Sequence, residues 1–321
     1  YLLGREVTHI TPNGFENDFV WQGEEYTTKR AAARKAMIEV AEACYGTKFE
    51  KEPLIVGTSG RYEYHNKGLD IFMGSMKRLA SCALDREILA YVTVPAANNG
   101  ARADLVRHLQ DASQPIDARQ WPFSTHYLDN MQWDPVSQAI KGSVLESKES
   151  KVKVIFVPSY LNSTDGVFNK SYYEMLVGMD VTAFPSYYEP WGYTPLESIA
   201  FSVPTVTSNL SGFGLWAVKQ ADHEAVEVIR RDDNNDAYAV EQMVGATLRF
   251  MQLDEAQVAS VRAAASEISK KALWNNFFKH IYRRIMENGI NKETRRGFAD
   301  RGSATSRPRK IYRNSGLCRN G

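Results

Sequence analysis

The sequence predicts an α/β fold in which a parallel sheet carries helices on both faces. Short apolar segments alternate with amphipathic segments along most of the chain, and this alternation is typical of successive strand–helix units. The apolar segments are bounded by glycine- or proline-containing turns, such as Gly57-Thr58-Ser59-Gly60. The 43% hydrophobic and 24% charged residues are those of a globular protein that can bury such a sheet.

The elements follow from this alternation in chain order. A strand at 7–14, ending in a Pro-Asn-Gly turn, and an Ala-, Lys- and Glu-rich helix at about 26–45 come first. In the next helix, Leu69, Phe72 and Met76 recur at helical spacing. Strands are predicted for six apolar segments: 53–60, 86–96, 151–158, 180–184, 204–210 and 225–231. Helices are predicted after each of them: 65–80, 103–110, 170–179, from Thr194, from about Leu215, and 236–252.

Two regions depart from the strand–helix alternation. Residues 111–150 are polar and contain Trp121, Pro122 and Pro135, so they are interpreted as an insertion of loops and short helices. Two further helices, at about 254–273 and 274–288, follow the last strand and belong to no strand–helix pair. They are predicted either to pack across the domain edge or to reach towards another domain.

Charge and composition exclude several classes of protein. The net charge is +1, but residues 294–321 carry +7 and the other 293 residues therefore carry −6. A mildly acidic body is a poor nucleic-acid binder, and the Gly-, Ser- and Arg-rich end is predicted to be a disordered tail. The sequence has no apolar run long enough for a membrane segment, and its first residues do not form a signal peptide for secretion. The three cysteines, Cys44, Cys82 and Cys318, and the histidines have neither disulfide nor metal-ligand spacing, which favours a reducing cytoplasm and no metal.

An acidic turn after the strand at 180–184 is the strongest candidate site. Glu189 and Glu197 bracket an aromatic turn that leads into a helix. In an open α/β sheet, ligands bind outside the carboxyl ends of the strands, and the amides of a helix start favour an anion. A nucleotide sugar combines an anionic part with hydroxyls, and therefore fits. Thr194, Pro195 and Glu197 also fit a capping box, so Glu197 has an equally good structural interpretation.

A basic turn follows the strand at 53–60. Arg61 and Lys67 stand six residues apart before a helix, and two cations at a strand's carboxyl end suit a diphosphate. Two solvated surface cations are the alternative. The glycines of 209–214 fit either close approach of backbone amides to a ligand or a tight connection. Tyr172 and Tyr173 are candidates for stacking on a base, although helix packing is expected for at least one of them.

These turns resemble blocks of a known family. FPSYYEPWGYTPLE followed by PTVTSNLSGFG resembles the signature of the animal and fungal type of glycogen synthase and its bacterial relatives. GRYEYHNKGLDIF (60–72), VKVIFVPSYLNST (152–164) and THYLDN with Asp134-Pro135 match further blocks in the same order, and the resemblance covers about residues 7–290. It implies a GT-B fold of two Rossmann-like domains, with the active site in the cleft between them.

The resemblance also implies a reaction and residue roles. The reaction is retaining transfer of glucose from UDP-glucose to the 4-hydroxyl at the non-reducing end of glycogen or another α-1,4-glucan, without a metal or other cofactor. Arg61 and Lys67 match the pair that holds the donor diphosphate, and Tyr172 matches the residue that stacks on uracil. Glu189 and Glu197 match the two glutamates of the family's E-x7-E element. The remaining donor-binding positions form the turn and helix start: Trp191, Gly192, Tyr193 and Thr194.

The domain organisation implied by the resemblance has four parts. Residues 1–50 are expected to be a remnant of the interdomain hinge and linking helix, and 51–253 the nucleotide-sugar-binding Rossmann-like domain, with its insertion at 111–150. Residues 254–293 form carboxyl-terminal helices, and 294–321 the basic tail. We expect the amino-terminal domain to be missing, so that this chain alone binds the donor but transfers little glucose. Two alternatives stay open: an inactive nucleotide-binding fragment, and a related retaining glucosyltransferase that uses ADP-glucose.

Overall fold

The computed structural model describes residues 4, 9–117, 119–220 and 224–287. Its contacts divide the chain into two units, Pro12–Trp274 and the combination of Tyr1–Thr11 with Asn275–Gly321. The second unit contributes, among the described residues, mainly a helical stretch that includes a π-helical turn at Phe278–Tyr282. The predicted tail at 294–321 lies outside the described residues.

A six-stranded parallel sheet forms the centre of the first unit. Its strands lie in the order β5-β2-β1-β6-β7-β8, so the chain builds outward from β1 in one direction and then from β6 in the other. This is the order of a doubly wound, Rossmann-like sheet, and it makes β1 and β6 the topological switch point. The strands are β1 Leu54–Ser59, β2 Ile88–Thr93, β5 Val152–Phe156, β6 Val181–Phe184, β7 Thr205–Ser208 and β8 Val226–Ile229, with β3 Asn98–Ala101 and β4 His126–Leu128 forming a separate antiparallel pair.

Helices flank both faces of this sheet, as the sequence predicts. They are α1 Gly23–Tyr45, α2 Leu69–Leu79, α3 Ala103–Gln110, α4 Pro135–Ile140, α5 Tyr172–Val177, α6 Tyr193–Ala200, α7 Gly212–Ala217, α8 Asp236–Met251 and α9 Glu255–Lys271, with a 3₁₀ turn at Val144–Glu146; a short helix, α10 Trp274–Phe277, follows in the sequence. Side chains alternate across a strand, so Ile55 and Tyr91 face α1 and α5 in one core cluster. Leu54 and Val56 point to the other face, which α2 and α8 cover.

A buried ion cluster ties α1 and α9 to the sheet. Asp180, just before β6, pairs with Arg30 at 2.6 Å and Arg34 at 2.8 Å on α1, and lies 3.6 Å from Arg262 on α9. Burial alone would raise the pKa of Asp180, but the three guanidinium groups overcome this and lower it. The cluster therefore fixes two helices against the strand that leads to the acidic turn.

The structure corrects several element boundaries. The predicted strand at 7–14 is wrong over residues 9–14, which form no strand, while residues 7 and 8 lie outside the described residues. Phe15 alone makes an isolated bridge, with Leu273, so no neighbouring strand is there to extend it. The antiparallel pair β3–β4 was not predicted, since NNGA in β3 lacks the alternation of a half-buried strand. The helix predicted from Leu215 starts at Gly212, because the Ser211 hydroxyl caps it.

Candidate functional site

The predicted acidic and basic turns meet at the switch point of the sheet. β1 ends at Ser59 and leads into Arg61 and Lys67, whereas β6 ends at Phe184 and leads into Glu189. The two strands are parallel neighbours, so their carboxyl ends lie at the same edge. This crevice is where doubly wound sheets bind ligands.

Lys67 and Glu189 are in direct contact. Lys67 Nζ donates a hydrogen bond to Glu189 Oε2, and the two side chains are only 15% and 19% exposed. The loops that carry them are joined by their backbones, since the Tyr187 amide donates to the Asn66 carbonyl at 2.9 Å. Gly68 allows this approach, because a Cβ there would lie 2.0 Å from the Pro185 carbonyl oxygen. The sequence therefore brings a cation and an acid 122 residues apart into one half-buried pair.

The glycine-rich turn at 209–214 holds the Glu189 loop in place. The Glu189 amide donates to Leu210 O at 3.3 Å, and the Gly212 amide returns a bond to Glu189 O at 3.0 Å. The Gly214 amide is taken by the Ser211 hydroxyl at 2.9 Å. Of the two interpretations left open for this turn, the tight structural connection therefore accounts for the Gly212 and Gly214 amides.

The helix after the acidic turn starts without a side-chain cap. α6 begins at Tyr193, with Gly192 at the N-cap position and a φ of +112°. The predicted capping box at Thr194 is wrong, because the backbone of Gly192 starts the helix before Thr194 is reached. Within the described residues, the N-cap position of α6 therefore provides no capping side chain at the end of the helix that attracts negative charge.

Glu197 has a different environment from Glu189. Its carboxylate accepts a hydrogen bond from the Tyr173 hydroxyl at 3.1 Å, not from the start of its own helix. Burial raises the pKa of Glu197, and the Tyr173 hydrogen bond only partly offsets this. Tyr173 itself stacks on Phe201 with ring centroids 4.9 Å apart, so it is the tyrosine that packs. A buried acid with a raised pKa is a common feature of functional sites.

A cavity of about 420 Å³ adjoins the helix start. Tyr172 lines it, and its hydroxyl is hydrogen-bonded to Ser59 Oγ at 2.9 Å. Burial and the Glu197 carboxylate raise the pKa of Tyr172, so its phenol stays neutral. Further residues complete the wall, and they come from the carboxyl ends of β1, β2 and β5 and from the start of α6: Gly60, Arg61, Tyr62, Thr93, Pro95, Ser159, Tyr160, Leu161 and Thr194. The cavity therefore offers an aromatic ring, a cation and a helix start to one ligand.

The remaining candidate residues differ in how exposed their side chains are. The Arg61 side chain is 78% exposed and lies 3.2 Å from Glu63, so it is free to reorient. Trp191 is buried and packs near Phe213 and Trp216, which makes its ring part of the loop's core. Tyr193 is exposed at the start of α6.

One structural residue near this edge was not predicted. Arg231, just beyond β8, is fully buried and donates to the Pro185 carbonyl oxygen at 2.6 Å. The signal for it was present in the sequence, because the predicted strand 225–231 ends in Arg230 and Arg231, and a cation inside a buried strand end needs a partner.

A larger cavity, of about 680 Å³, lies at the other edge of the sheet. Val181, Thr205 and Val226, which begin β6, β7 and β8, line it together with α8. Its charged groups include the Glu227–Arg249 ion pair, whose charges already balance. Volume alone does not make this cavity a functional site. The switch point is the stronger candidate, because Lys67, Glu189 and the start of α6 meet there. Within the described part of the chain, the helices lack the combination of length and apolar character that crossing a bilayer requires.

Comparison with known proteins places these features in a family. The family model described as glycogen synthase matches residues 105–313. The chain is 26% identical over 337 residues to glycogen [starch] synthase of Dictyostelium discoideum, covering 87% of this chain and 38% of the relative. It is 29% identical over 271 residues to the human liver enzyme, covering 67% of this chain and 38% of the relative. The chain thus spans less than half the length of these curated relatives.

Two solved structures show a weaker similarity. One is WaaG, a glycosyltransferase involved in lipopolysaccharide biosynthesis, at a TM-score of 0.43 and 12% identity, covering 84% of this chain and 53% of the other. The other is HepE of Anabaena, solved in complex with UDP, at a TM-score of 0.46 and 14% identity, covering 86% of this chain and 57% of the other.

Proposed function

Because the chain belongs to the glycogen synthase family, we propose that its sheet domain binds UDP-glucose for retaining transfer of glucose to an α-1,4-glucan. The acceptor group is the 4-hydroxyl at a non-reducing end of glycogen or a related glucan. A single observation carries this proposal: Lys67 and Glu189 meet at the switch point, beside the uncapped start of α6.

The donor diphosphate is assigned to the cationic side of this site. Lys67 provides a point charge, Arg61 a fork that its exposure leaves free to turn, and α6 the positive end of a helix. These groups neutralise the charge that develops on the departing diphosphate, which is the kind of electrostatic stabilisation that accelerates transfer most. Thr194, at the start of α6, and the Tyr172 ring line the same 420 Å³ cavity, so one ligand can reach both.

The nucleoside is assigned to that aromatic wall. Tyr172 offers its ring to the uracil base, and its hydrogen bond to Ser59 limits the orientations that the ring can take. Stacking of a base on an aromatic side chain is worth about 1–3 kcal/mol. Glu197 lies close enough to Tyr172 to raise the pKa of its phenol, which supports our assignment of Glu197 to the ribose or phosphate of the same donor.

The chemical step follows from the leaving group. The bond between the glucose C1 and the diphosphate oxygen breaks, and a bond between C1 and the acceptor 4-oxygen forms on the same face. The acceptor proton passes to the departing diphosphate oxygen, so no glycosidase-type pair of acid and base is needed. Glu189 then orients the glucose and stabilises its developing positive charge.

Location and donor choice complete the proposal. A cytoplasmic setting is supported by the free thiols Cys44 and Cys82. UDP is preferred over ADP on the strength of the family resemblance, since the phosphate contacts suit both nucleotides.

Calorimetric titration with UDP, ADP and their glucose conjugates tests this function. We expect UDP and UDP-glucose to bind and Lys67→Met to weaken binding by at least about tenfold, equivalent to about 1.4 kcal/mol. Lys77→Met is the matched control, because Lys77 lies on the exposed side of α2. Equal binding by both variants would remove Lys67 from the site, and tighter binding of ADP would reassign the donor.

A further inference from the structure

Arg231 connects the two loops that carry Lys67 and Glu189. Resting on the function proposed above, we propose that Arg231 is a positioning residue that sets the alignment of Lys67 and Glu189 without touching the donor. Its side chain is fully buried at the carboxyl end of β8, whereas Lys67 follows β1 and Glu189 follows β6. The residue therefore acts between elements that are distant in sequence.

One set of contacts reaches the Glu189 loop. Arg231 Nη1 donates to the Pro185 carbonyl oxygen at 2.6 Å, four residues before Glu189. The guanidinium group also lies 5.2 Å from the centre of the Tyr187 ring, within the range of a cation–π contact. Tyr187 in turn hydrogen-bonds Asp233 through its hydroxyl, which closes the loop onto the segment after β8.

A second set of contacts reaches the Lys67 loop. Arg231 Nη2 lies 3.4 Å from Asp70, in the first turn of α2. Asp70 also contacts His65 Nδ1 at 2.6 Å, two residues before Lys67. The His65 ring then packs 4.7 Å from the Tyr187 ring, and so joins the two loops once more. Arg231 therefore contacts both the loop that carries Glu189 and the helix start that follows Lys67.

The geometry favours arginine over lysine at this position. The fork of a guanidinium group can donate to a carbonyl and a carboxylate at the same time, whereas a lysine ammonium is a single point charge. A buried cation is costly unless it is paired, and here Asp70 and Asp236 supply the negative charge. His65, Asp70 and Asp236 lie close enough together to hold a metal ion, but the Arg231 guanidinium already contacts both carboxylates.

Arg231 is expected to affect the rate of transfer through the alignment of Lys67 and Glu189. A misplacement of about 1 Å at a reacting group can reduce the rate by about 100-fold. Loss of the Arg231 contacts would let the loops of Lys67 and Glu189 shift relative to each other. The chain would stay folded, but the two side chains would no longer be aligned. A purely structural residue would change stability alone.

A double-mutant cycle tests this directly, without any donor. Lys67→Met and Glu189→Gln are measured singly and together by urea unfolding, in the natural chain and in an Arg231→Gln background. In the natural chain we expect the two changes to be non-additive by about fivefold in the unfolding equilibrium constant, as for a half-buried ion pair. In the Arg231→Gln background they should become additive. Arg230→Gln is the matched control, because the contacts of the exposed Arg230 are made by its backbone.

A second variant and a second readout complete the experiment. Asp70→Asn leaves Arg231 in place but removes its ion pair at the Lys67 loop. This variant should also abolish the coupling between Lys67 and Glu189, and it serves as the test background if Arg231→Gln does not fold. UDP affinity should fall by about tenfold in both variants, with the control unchanged. Coupling that persists in either background would overturn the positioning role. If the coupling between Lys67 and Glu189 is lost as expected but the natural chain does not bind UDP, Arg231 keeps its positioning role and the proposed function is refuted.

Discussion

Replacing Glu189 with glutamine should separate donor binding from glucose transfer. In the structure Lys67 is paired with Glu189, so a diphosphate that takes Lys67 must compete with this carboxylate. Glutamine removes both the competition and the negative charge near the phosphates. We therefore expect Glu189→Gln to bind UDP more tightly than the natural chain, although it removes a residue assigned to the active site.

The size of the effect follows from the exposure of the pair. Lys67 is 15% and Glu189 19% exposed, so the pair belongs at the upper end of the range measured for surface pairs, about 1 kcal/mol. An energy of about 1 kcal/mol corresponds to about fivefold in the dissociation constant. In the complete enzyme the same variant should lose at least about 100-fold in turnover, since it removes an electrostatic group that acts in the transition state.

Calorimetry with UDP measures the first effect, and initial rates with UDP-glucose and glycogen measure the second. Glu241→Gln serves as the control, because Glu241 pairs with Arg78 on exposed surfaces of α8 and α2. Weaker UDP binding in Glu189→Gln would refute the competition for Lys67. Turnover close to that of the natural enzyme would refute the role of Glu189 in transfer.

Three further predictions concern the surroundings of the site. Ser59→Ala should weaken UDP binding by about threefold, since loss of one neutral hydrogen bond of about 0.5–1.5 kcal/mol leaves the Tyr172 ring less fixed; unchanged affinity in calorimetry would contradict this. Glu197→Gln should raise the melting temperature at neutral pH, because burial raises the folded-state pKa of Glu197 and stability is lost as pH rises through that value. The gain should vanish below about pH 4, the ordinary range of a glutamate, and a gain that persists there would argue against titration as the cause. Asp180→Asn should cost about 3–5 kcal/mol in urea unfolding, since it removes the negative charge that three largely buried arginines share and leaves only Arg34 with another carboxylate, Glu52; a loss below about 1 kcal/mol, the ordinary value for surface pairs, would contradict the importance of this cluster.

Much of the sheet could be predicted because its strands are fully buried. The LIVGTS segment of β1 is a continuous run of apolar and small residues, and the VKVIF segment of β5 is apolar except for Lys153, whose charge is paired with Glu87. Such buried runs between turn residues have few alternative structures. The pair β3–β4 escaped prediction because NNGA has the composition of a turn, and only its partner 25 or more residues later makes it a strand.

The candidate residues could be named from the sequence, but the contacts between them could not. Turn composition and the family resemblance indicated both Lys67 and Glu189, yet their pairing depends on the side-by-side position of β1 and β6. The capping rule predicted Thr194 as the N-cap, and the backbone of Gly192 overrode it. The two arginines at the end of the predicted strand 225–231 indicate a buried cation that needs a partner, but the partners of Arg231 come from loops distant in sequence and could not be predicted from spacing.

A crystal structure of this chain with UDP bound would show whether Lys67, the start of α6 and Tyr172 hold the nucleotide. We expect a phosphate oxygen within about 2.7–3.2 Å of Lys67 Nζ, the amino-terminal end of α6 facing the diphosphate, and the uracil ring on Tyr172. A nucleotide bound instead in the cavity at the amino-terminal edge of β6, β7 and β8, with the Lys67–Glu189 pair unchanged, would contradict it.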